Sequence, residues 1–353
     1  MKITFVTSTL TSGGSERVMS ILANELSDRG HDVSIILLRA PKVFYPINDS
    51  VKLYFAQDFS KNMMGKALWL RKHIQKERPD VVIPFMTSVY CMTIFALLGV
   101  NVPIISSERI DPRFSNRIIK ITRWAFLRFT THLVVQTQAI KAYYSQSIQQ
   151  RTTIIPNPIT EKVFEKPTDI NKKHRIISVG RLYDQKNQKM MINAFSQIAN
   201  QYPDYTLVIY GEGPLRQELE NYIKSLGLES KVLLPGRTEN IVKELYDSEV
   251  FCLSSDYEGM SNALLEAVCV GMPVISTRVS GADDILINGE NGLVVNIGDV
   301  DGLVVAFQTL LNNKELCDKF SKYNKQISVN YKIEKIVDNW EALMHKVVGL
   351  GCE

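Results

Sequence analysis

The sequence predicts an α/β protein of two doubly wound domains, each a mostly parallel sheet covered by helices on both faces. Three observations carry this. Short apolar strands alternate with helical segments along nearly all of the 353 residues. The strands read as near-continuous apolar runs, as parallel strands buried on both sides do. A stiff Pro156-Asn157-Pro158 step interrupts the alternation and marks a domain boundary. The length suits two domains of ordinary size, and 45% hydrophobic residues suffice for two cores.

Residues 2–7 form the first strand, and a glycine-containing loop then leads to a helix starting near Ser15. Residues 32–38, 80–84, 103–106 and 132–136 read as further strands between helical segments. Beyond the proline step the strands are 175–180, 205–210, 232–234, 250–253, 273–275 and 292–295. Residues 331–348 read as a last helix anchored by Trp340.

Composition excludes several classes. With 22% charged residues, bulk disorder is disfavoured, and a net charge of +4 is too mild to argue for nucleic acid as a partner. Cys91, Cys252, Cys269, Cys317 and Cys352 are scattered with no Cys-x-x-Cys spacing, which disfavours a zinc site or a disulfide framework and fits a reducing cytoplasm. The first strand starts at Lys2 without a signal-peptide pattern, and the apolar stretch 91–100 is too short to span a bilayer. The expected location is therefore cytoplasmic.

Two clusters carry chemistry. In Asp256-Tyr-Glu-Gly-Met-Ser-Asn-Ala-Leu-Leu-Glu266, two acids flank a run of amides at a helix start. Eight residues is just over two helical turns, an offset of about 80°, so Glu258 and Glu266 lie loosely on one side. Glu258 precedes Gly259 and belongs to the loop. Glu266 falls in an apolar run, where an acid is costly unless it accepts hydrogen bonds, for example from a hydroxyl-rich ligand. The plainer alternative is a solvent-facing or first-turn glutamate. Upstream, Arg181 and Lys186 lie in the loop after a strand and before a helix that begins near Lys189, where an α/β protein grips phosphate. A guanidinium fork and a compact ammonium both suit a diphosphate. Ordinary loop charges are the alternative, and the glutamate segment argues against it.

The pattern Gly180-Arg181-Leu-x-x-x-Lys186-Asn187, followed far downstream by Glu258-Gly-(x)6-Glu266, resembles the donor site of retaining family 4 glycosyltransferases. The resemblance covers nearly the whole chain. It includes Ser12-Gly13-Gly14-Ser-Glu16-Arg17, Gly30-His31-Asp32-Val33, Ile155-Pro156-Asn157-Pro158, Tyr210-Gly211-Glu212-Gly213-Pro214 and Gly271-Met272-Pro273-Val274-Ile275. It implies the GT-B architecture, two Rossmann-like domains with a cleft between them. Residues 1–157 would form the acceptor-binding domain, with the helix 331–353 packing back onto it, and 158–330 the nucleotide-sugar domain. Glu266 would bind the ribose hydroxyls and Glu258 the transferred sugar. Retention of anomeric configuration also comes from the resemblance.

The residues then fall into roles. Arg181, Lys186 and the amides of Met260, Ser261, Asn262 and Ala263 would stabilise the charge growing on a diphosphate leaving group. Gly211 and Arg237 follow strands and would border the base, with plain turn chemistry as the alternative. Gly14 allows close backbone approach from the first domain, and a phosphate held from both domains implies closure on binding. No Asp-x-Asp triplet occurs at a strand end, and Asp283-Asp284 reads as a helix start, so neither metal nor cofactor is demanded. A dehydrogenase would want Gly-x-Gly-x-x-Gly after the first strand, which is missing.

Many members of the family carry a histidine after the fourth strand, whereas Ser107-Glu108-Arg109-Ile-Asp111-Pro112 stands here. That pattern resembles a subgroup extending polyprenyl-diphosphate-linked glycans in bacteria, and Glu108 and Arg109 would take part in the acceptor site. Asp111-Pro112 predicts the start of a helix over 113–129. On it Arg113, Arg117, Lys120 and Arg128 fall within an arc of roughly 80° that includes Trp124, with Ile118, Ala125, Phe126 and Phe129 opposite. A basic stripe with a tryptophan suits anionic lipid or a lipid diphosphate, and a solvated basic face is the alternative. The expected protein is a peripheral enzyme on the inner face of the membrane. It would move a hexose or N-acetylhexosamine from a nucleotide sugar, UDP-linked by family habit, to a lipid-linked glycan. A soluble sugar or sugar-phosphate acceptor and a non-catalytic scaffold are the alternatives.

Overall fold

The computed structural model describes residues 1–11, 13–39 and 43–349. Chain contacts divide it into two units, Met1–Pro158 with the residues from Ile333 onward, and Ile159–Lys332.

The first unit runs β1 (Lys2–Thr7), α1 (Gly14–Asp28), β2 (Asp32–Leu37), β3 (Lys52–Phe55), α2 (Met63–Glu77), β4 (Val81–Pro84), α3 (Thr87–Leu97), β5 (Ile105–Ser107), α4 (Arg117–Leu127), β6 (His132–Val135), α5 (Gln138–Tyr143), α6 (Gln146–Gln149) and β7 (Thr152–Ile154). Strands β3-β2-β1-β4 and β5-β6-β7 are all parallel, and bridges Val82↔Ile104 and Phe85↔Ser107 join the two sets. Alternate residues face opposite layers. Ile3, Phe5, Ile35 and Ile83 pack beneath α1, while Val6, Ile36 and Val82 meet Leu70 of α2 and Tyr90 and Ile94 of α3. The short strands β3 and β7 have no counterpart in the sequence expectation. The predicted strand 103–106 lies two residues early, because Pro103 has no N–H to give a ladder and joins only through its carbonyl, which accepts from Val82 N at 2.9 Å.

The second unit contains β8 (Arg175–Val179), α7 (Gln188–Ile198), β9 (Thr206–Tyr210), α8 (Arg216–Ser225), β10 (Val232–Gly236), α9 (Ile241–Tyr246), β11 (Val250–Leu253), α10 (Asn262–Cys269), β12 (Val274–Thr277), α11 (Ala282–Ile285), β13 (Leu293–Val295), α12 (Val300–Asn312) and α13 (Lys314–Ile327). Its sheet is parallel throughout, in the order β10-β9-β8-β11-β12-β13. One face packs on Phe195 of α7, Phe307 of α12 and Phe320 of α13, the other on Leu264, Leu265 and Val268 of α10.

The last helix, α14 (Ile333–Gly349), belongs to the first unit. Its buried residues Ile336, Val337, Trp340, Leu343, Met344 and Val347 recur at helical spacing and join the β1–β4 core. The Trp340 ring stacks on Phe85 at 6.2 Å between centroids. Arg29 bonds Asp338 at 2.6 Å, and His31 bonds Glu341 at 2.7 Å.

Candidate active site

In the second unit, the candidate donor residues gather at the carboxyl ends of the strands, where open parallel sheets bind ligands. Gly180 directly follows β8 and Gly211 directly follows β9. Gly211 has φ 148°, and a Cβ there would lie 1.9 Å from the carbonyl oxygen of Gly180. Only glycine lets the two strand exits touch. Arg181 follows, exposed, with its guanidinium 5.0 Å from the Tyr183 ring centroid. Lys186 closes a short 3₁₀ turn (Asp184–Lys186) before α7.

The loop from β11 to α10 supplies the acid. Glu258 is buried, forms an ion pair with the Lys186 ammonium, and accepts from Ser255 Oγ at 2.8 Å. Ser261 caps α10 through Oγ, which accepts from Leu264 N at 3.4 Å. Met260 and Ser261 are buried and Asn262 and Ala263 half-buried, in the order that opens the helix. Glu266 is buried within α10. Gly281, after β12, presses against this turn: a Cβ there would lie 2.8 Å from the carbonyl oxygen of Gly259. At the far side of the sheet Arg237 is exposed after β10. Its neighbour Glu212 is held below the usual carboxylate range, first by its hydrogen bonds to Arg216 (2.6 and 2.8 Å) and then by the Arg237 charge.

One ion pair beside a helix start, flanked by the exposed Arg181, can receive a diphosphate. The cations and the first amides of α10 oppose its charge, and the carboxylate accepts hydroxyls. The sequence alone did not single out Ser255, Gln185 or Asp256. The only signal for Ser255 and Asp256 was the polar run Ser254-Ser255-Asp256 just before Glu258; Gln185 had only its place next to Lys186.

In the first unit, Gly14 opens α1 and Gly13 is its N-cap, while Ser12 lies outside the described residues. The carboxylate of Glu16 folds over this end: a Cβ on Gly13 would lie 2.2 Å from Glu16 Oε2. Ser15 Oγ holds the same oxygen at 2.6 Å.

The expected acceptor residues are rearranged. Glu108 is 1% exposed. Its carboxylate accepts from Thr87 Oγ1 and Tyr90 at 2.9 Å, from Arg123 Nε at 3.1 Å and from Tyr144 at 3.3 Å. It is an internal residue rather than an acceptor contact, because its acceptor capacity is met by the protein. Burial, and then the Glu108 charge, push the Tyr90 and Tyr144 hydroxyls well up. Arg123 is raised despite its burial, because Glu108 and these tyrosines favour its charge. Arg109 is also inside, with its guanidinium 4.3 Å from the Phe85 centroid and Nη1 donating to Asn157 Oδ1 at 3.0 Å. Its Nε and Nη2 have no partner among the described residues, and burial pushes the group down to about 9 against the pull of Glu108.

The predicted helix over 113–129 is broken. Asp111 caps only a 3₁₀ turn (Pro112–Phe114), and its carboxylate bonds Arg113 Nη2 at 2.7 Å. Asn116 then caps α4 afresh, accepting from Ile119 N at 2.9 Å. Arg113 is therefore off the helix. Ile118 is not on the inner side but 73% exposed, beside Ile121 (56%) and Trp124 (75%). The inner side is Arg123 and Leu127, because the Glu108 ion pair sets the rotation of the helix. Arg117, Lys120 and Arg128 stay exposed between the apolar residues.

Two parallel-sheet domains, the second with a cation–carboxylate pair beside a helix start at its strand ends, fit the class of group-transfer enzymes of GT-B architecture. The family described as glycosyl transferases group 1 matches residues 160–327, and glycosyltransferase family 4 matches residues 12–162. A Campylobacter jejuni enzyme is 32% identical, covering 98% of this chain and 99% of its own. It is the GalNAc-α-(1→4)-GalNAc-α-(1→3)-diNAcBac-PP-undecaprenol α-1,4-N-acetyl-D-galactosaminyltransferase. The Escherichia coli UDP-Gal:α-D-GlcNAc-diphosphoundecaprenol α-1,3-galactosyltransferase is 26% identical over 92% of each chain. Among solved structures, Anabaena HepE in complex with UDP superposes with a TM-score of 0.83 at 17% identity, over 98% of this chain and 100% of that one. The chain belongs to the family 4 glycosyltransferases, and it is a glycosyltransferase.

Proposed function

We propose that the protein moves a hexose or N-acetylhexosamine from a UDP-sugar to a polyprenyl-diphosphate-linked saccharide, with retention, at the cytoplasmic face of a membrane. The Lys186–Glu258 pair at the start of α10 carries the donor half of this reading. Lys186 and Arg181 would meet the diphosphate, the α10 amides would share its growing charge, and Glu258 would accept sugar hydroxyls. No residue is assigned as a covalent nucleophile; in a front-face reaction the departing phosphate takes the acceptor proton. The printed activities of the Campylobacter and Escherichia relatives support a lipid-diphosphate acceptor. The exposed basic and apolar face of α4 supports docking at the surface that holds it. No helix among the described residues is long and apolar enough to cross a membrane.

The test is calorimetric binding of UDP, GDP and UDP-sugars, with and without EDTA. UDP should bind equally well in EDTA; loss that magnesium restores would refute a metal-free diphosphate site. Lys186→Ala should weaken UDP binding by about 1.5–3 kcal/mol, the range for a hydrogen bond to a charged group. Glu258→Ala should abolish transfer while the fold persists. Silence toward every nucleotide, in folded protein, would overturn the donor site.

A further inference from the structure

Lys186 and Glu258 lie on different loops, and something must hold them together. Residue Asn187 stands between the 3₁₀ turn (Asp184–Lys186) and α7 with φ 44° and ψ 48°. N-cap residues ordinarily have extended backbone, and a left-handed residue other than glycine is strained. Asparagine bears that conformation better than most, and this one uses its side chain at both ends. Oδ1 accepts from Met190 N at 3.3 Å and caps α7, while Nδ2 donates to Asp256 Oδ1 at 2.8 Å.

The same two loops are joined beside it. Ser254 Oγ lies 2.9 Å from the Lys186 carbonyl and 3.0 Å from that of Asn187. Asp256 N donates to Gln185 O at 2.9 Å, and Gln185 Nε2 to Tyr257 O at 2.8 Å. The strands feeding the loops are neighbours, with Ile177 opposite Phe251. The Lys186 stem runs over Gly180, where a Cβ would lie 3.2 Å from Lys186 Cε. The backbone of Lys186 is held by Ser254 on one side, its stem lies on Gly180 on the other, and its ammonium pairs with Glu258.

We infer that Asn187 and Asp256 are positioning residues for sugar transfer. Their side-chain bond fixes the loop after β8 to the loop after β11, so that cation and carboxylate meet the donor in one geometry. The inference rests on the donor-site reading above. A glycine at 187 would satisfy the backbone more cheaply; what it would lack is the cap on Met190 N and the bond to Asp256.

A charge swap tests this. Asn187→Asp sets two carboxylates against each other, yet aspartate still tolerates the left-handed backbone and caps Met190. Asn187→Asp with Asp256→Asn restores the bond with its direction reversed. Asn187→Gly keeps the backbone and removes both side-chain bonds, the one to Asp256 and the cap on Met190 N, whereas Asn187→Asp keeps the cap. The measurements are UDP affinity by calorimetry, melting temperature, and UDP release from a panel of UDP-hexoses and UDP-N-acetylhexosamines. Both single variants at 187 should lose about tenfold to a hundredfold in UDP affinity or turnover, as small displacements at reacting groups do. The swap should bring the loss back to within about threefold and lift the melting temperature above that of the Asn187→Asp protein. Full UDP affinity and turnover in Asn187→Gly, or a folded swap as impaired as Asn187→Asp, would overturn the positioning role. Lys186→Ala, run alongside, separates the two readings. If it binds UDP and turns over normally, the donor site itself is wrong; if it fails while the Asn187 variants do not, only the brace is wrong.

Discussion

At the scale of single residues, Glu108 and Arg123 show how a charge pattern can point away from the surface it suggests. Both are nearly absent from solvent, and Thr87, Tyr90, Tyr144 and Ser115 complete their hydrogen bonds. A buried pair so fully bonded is stable as a pair and costly to halve. Arg123→Leu should therefore destabilise the first unit by about 3–5 kcal/mol, read as a fall in its melting temperature. A change below about 1 kcal/mol would mean the pair does not hold α4 in place. The sequence displayed Glu108 and Arg123 plainly but could not join them. Fifteen residues of chain separate them, and the contact depends on how α4 is rotated. Lys186 and Glu258 were legible as neighbours for the opposite reason. Each sits in a loop directly after a strand, and parallel strands deliver their exits to one edge whatever the details of packing.

At the scale of elements, α4 is shorter than the periodicity predicts and presents a different face. Asp111-Pro112 is a genuine start signal, but it is spent on a single 3₁₀ turn, and Asn116 supplies the second start. Two caps five residues apart cannot be told from one cap and a longer helix by charge spacing alone. The exposed face that results mixes Arg117, Lys120 and Arg128 with Ile118, Ile121 and Trp124, a composition suited to the headgroup boundary of an anionic bilayer. Ile121→Asp with Trp124→Asp should cut sedimentation with vesicles containing phosphatidylglycerol by about tenfold or more while leaving UDP affinity unchanged. Equal sedimentation of variant and parent would remove α4 from any lipid contact. Strands β3 and β7 went unpredicted because each is only three or four residues long and sits at a sheet edge, where few apolar neighbours shape the sequence.

At the scale of the whole molecule, each unit owns a core on both sides of its sheet, which is why strand–helix alternation sufficed to foretell two domains. The β4-to-β5 passage, where bridges replace a full ladder, was beyond it. The helix α14 is bound to the first unit through Trp340 and through the ties of Arg29 and His31. Trp340→Ala should cost about 3–5 kcal/mol, with the loss confined to the unit it packs on. Hydrogen exchange should show faster opening of β1 and β4 and unchanged protection of β8 and β11; uniform loss across both sheets would contradict that assignment. Because α14 closes a core begun at β1, the second unit is an insertion in the first. During translation the insertion can finish folding on its own. The first unit meanwhile waits roughly ten to thirty seconds, at ordinary elongation rates, with the seat of Trp340 open to solvent. That interval, rather than the finished enzyme, is when the apolar surface of the first unit is open to wrong partners.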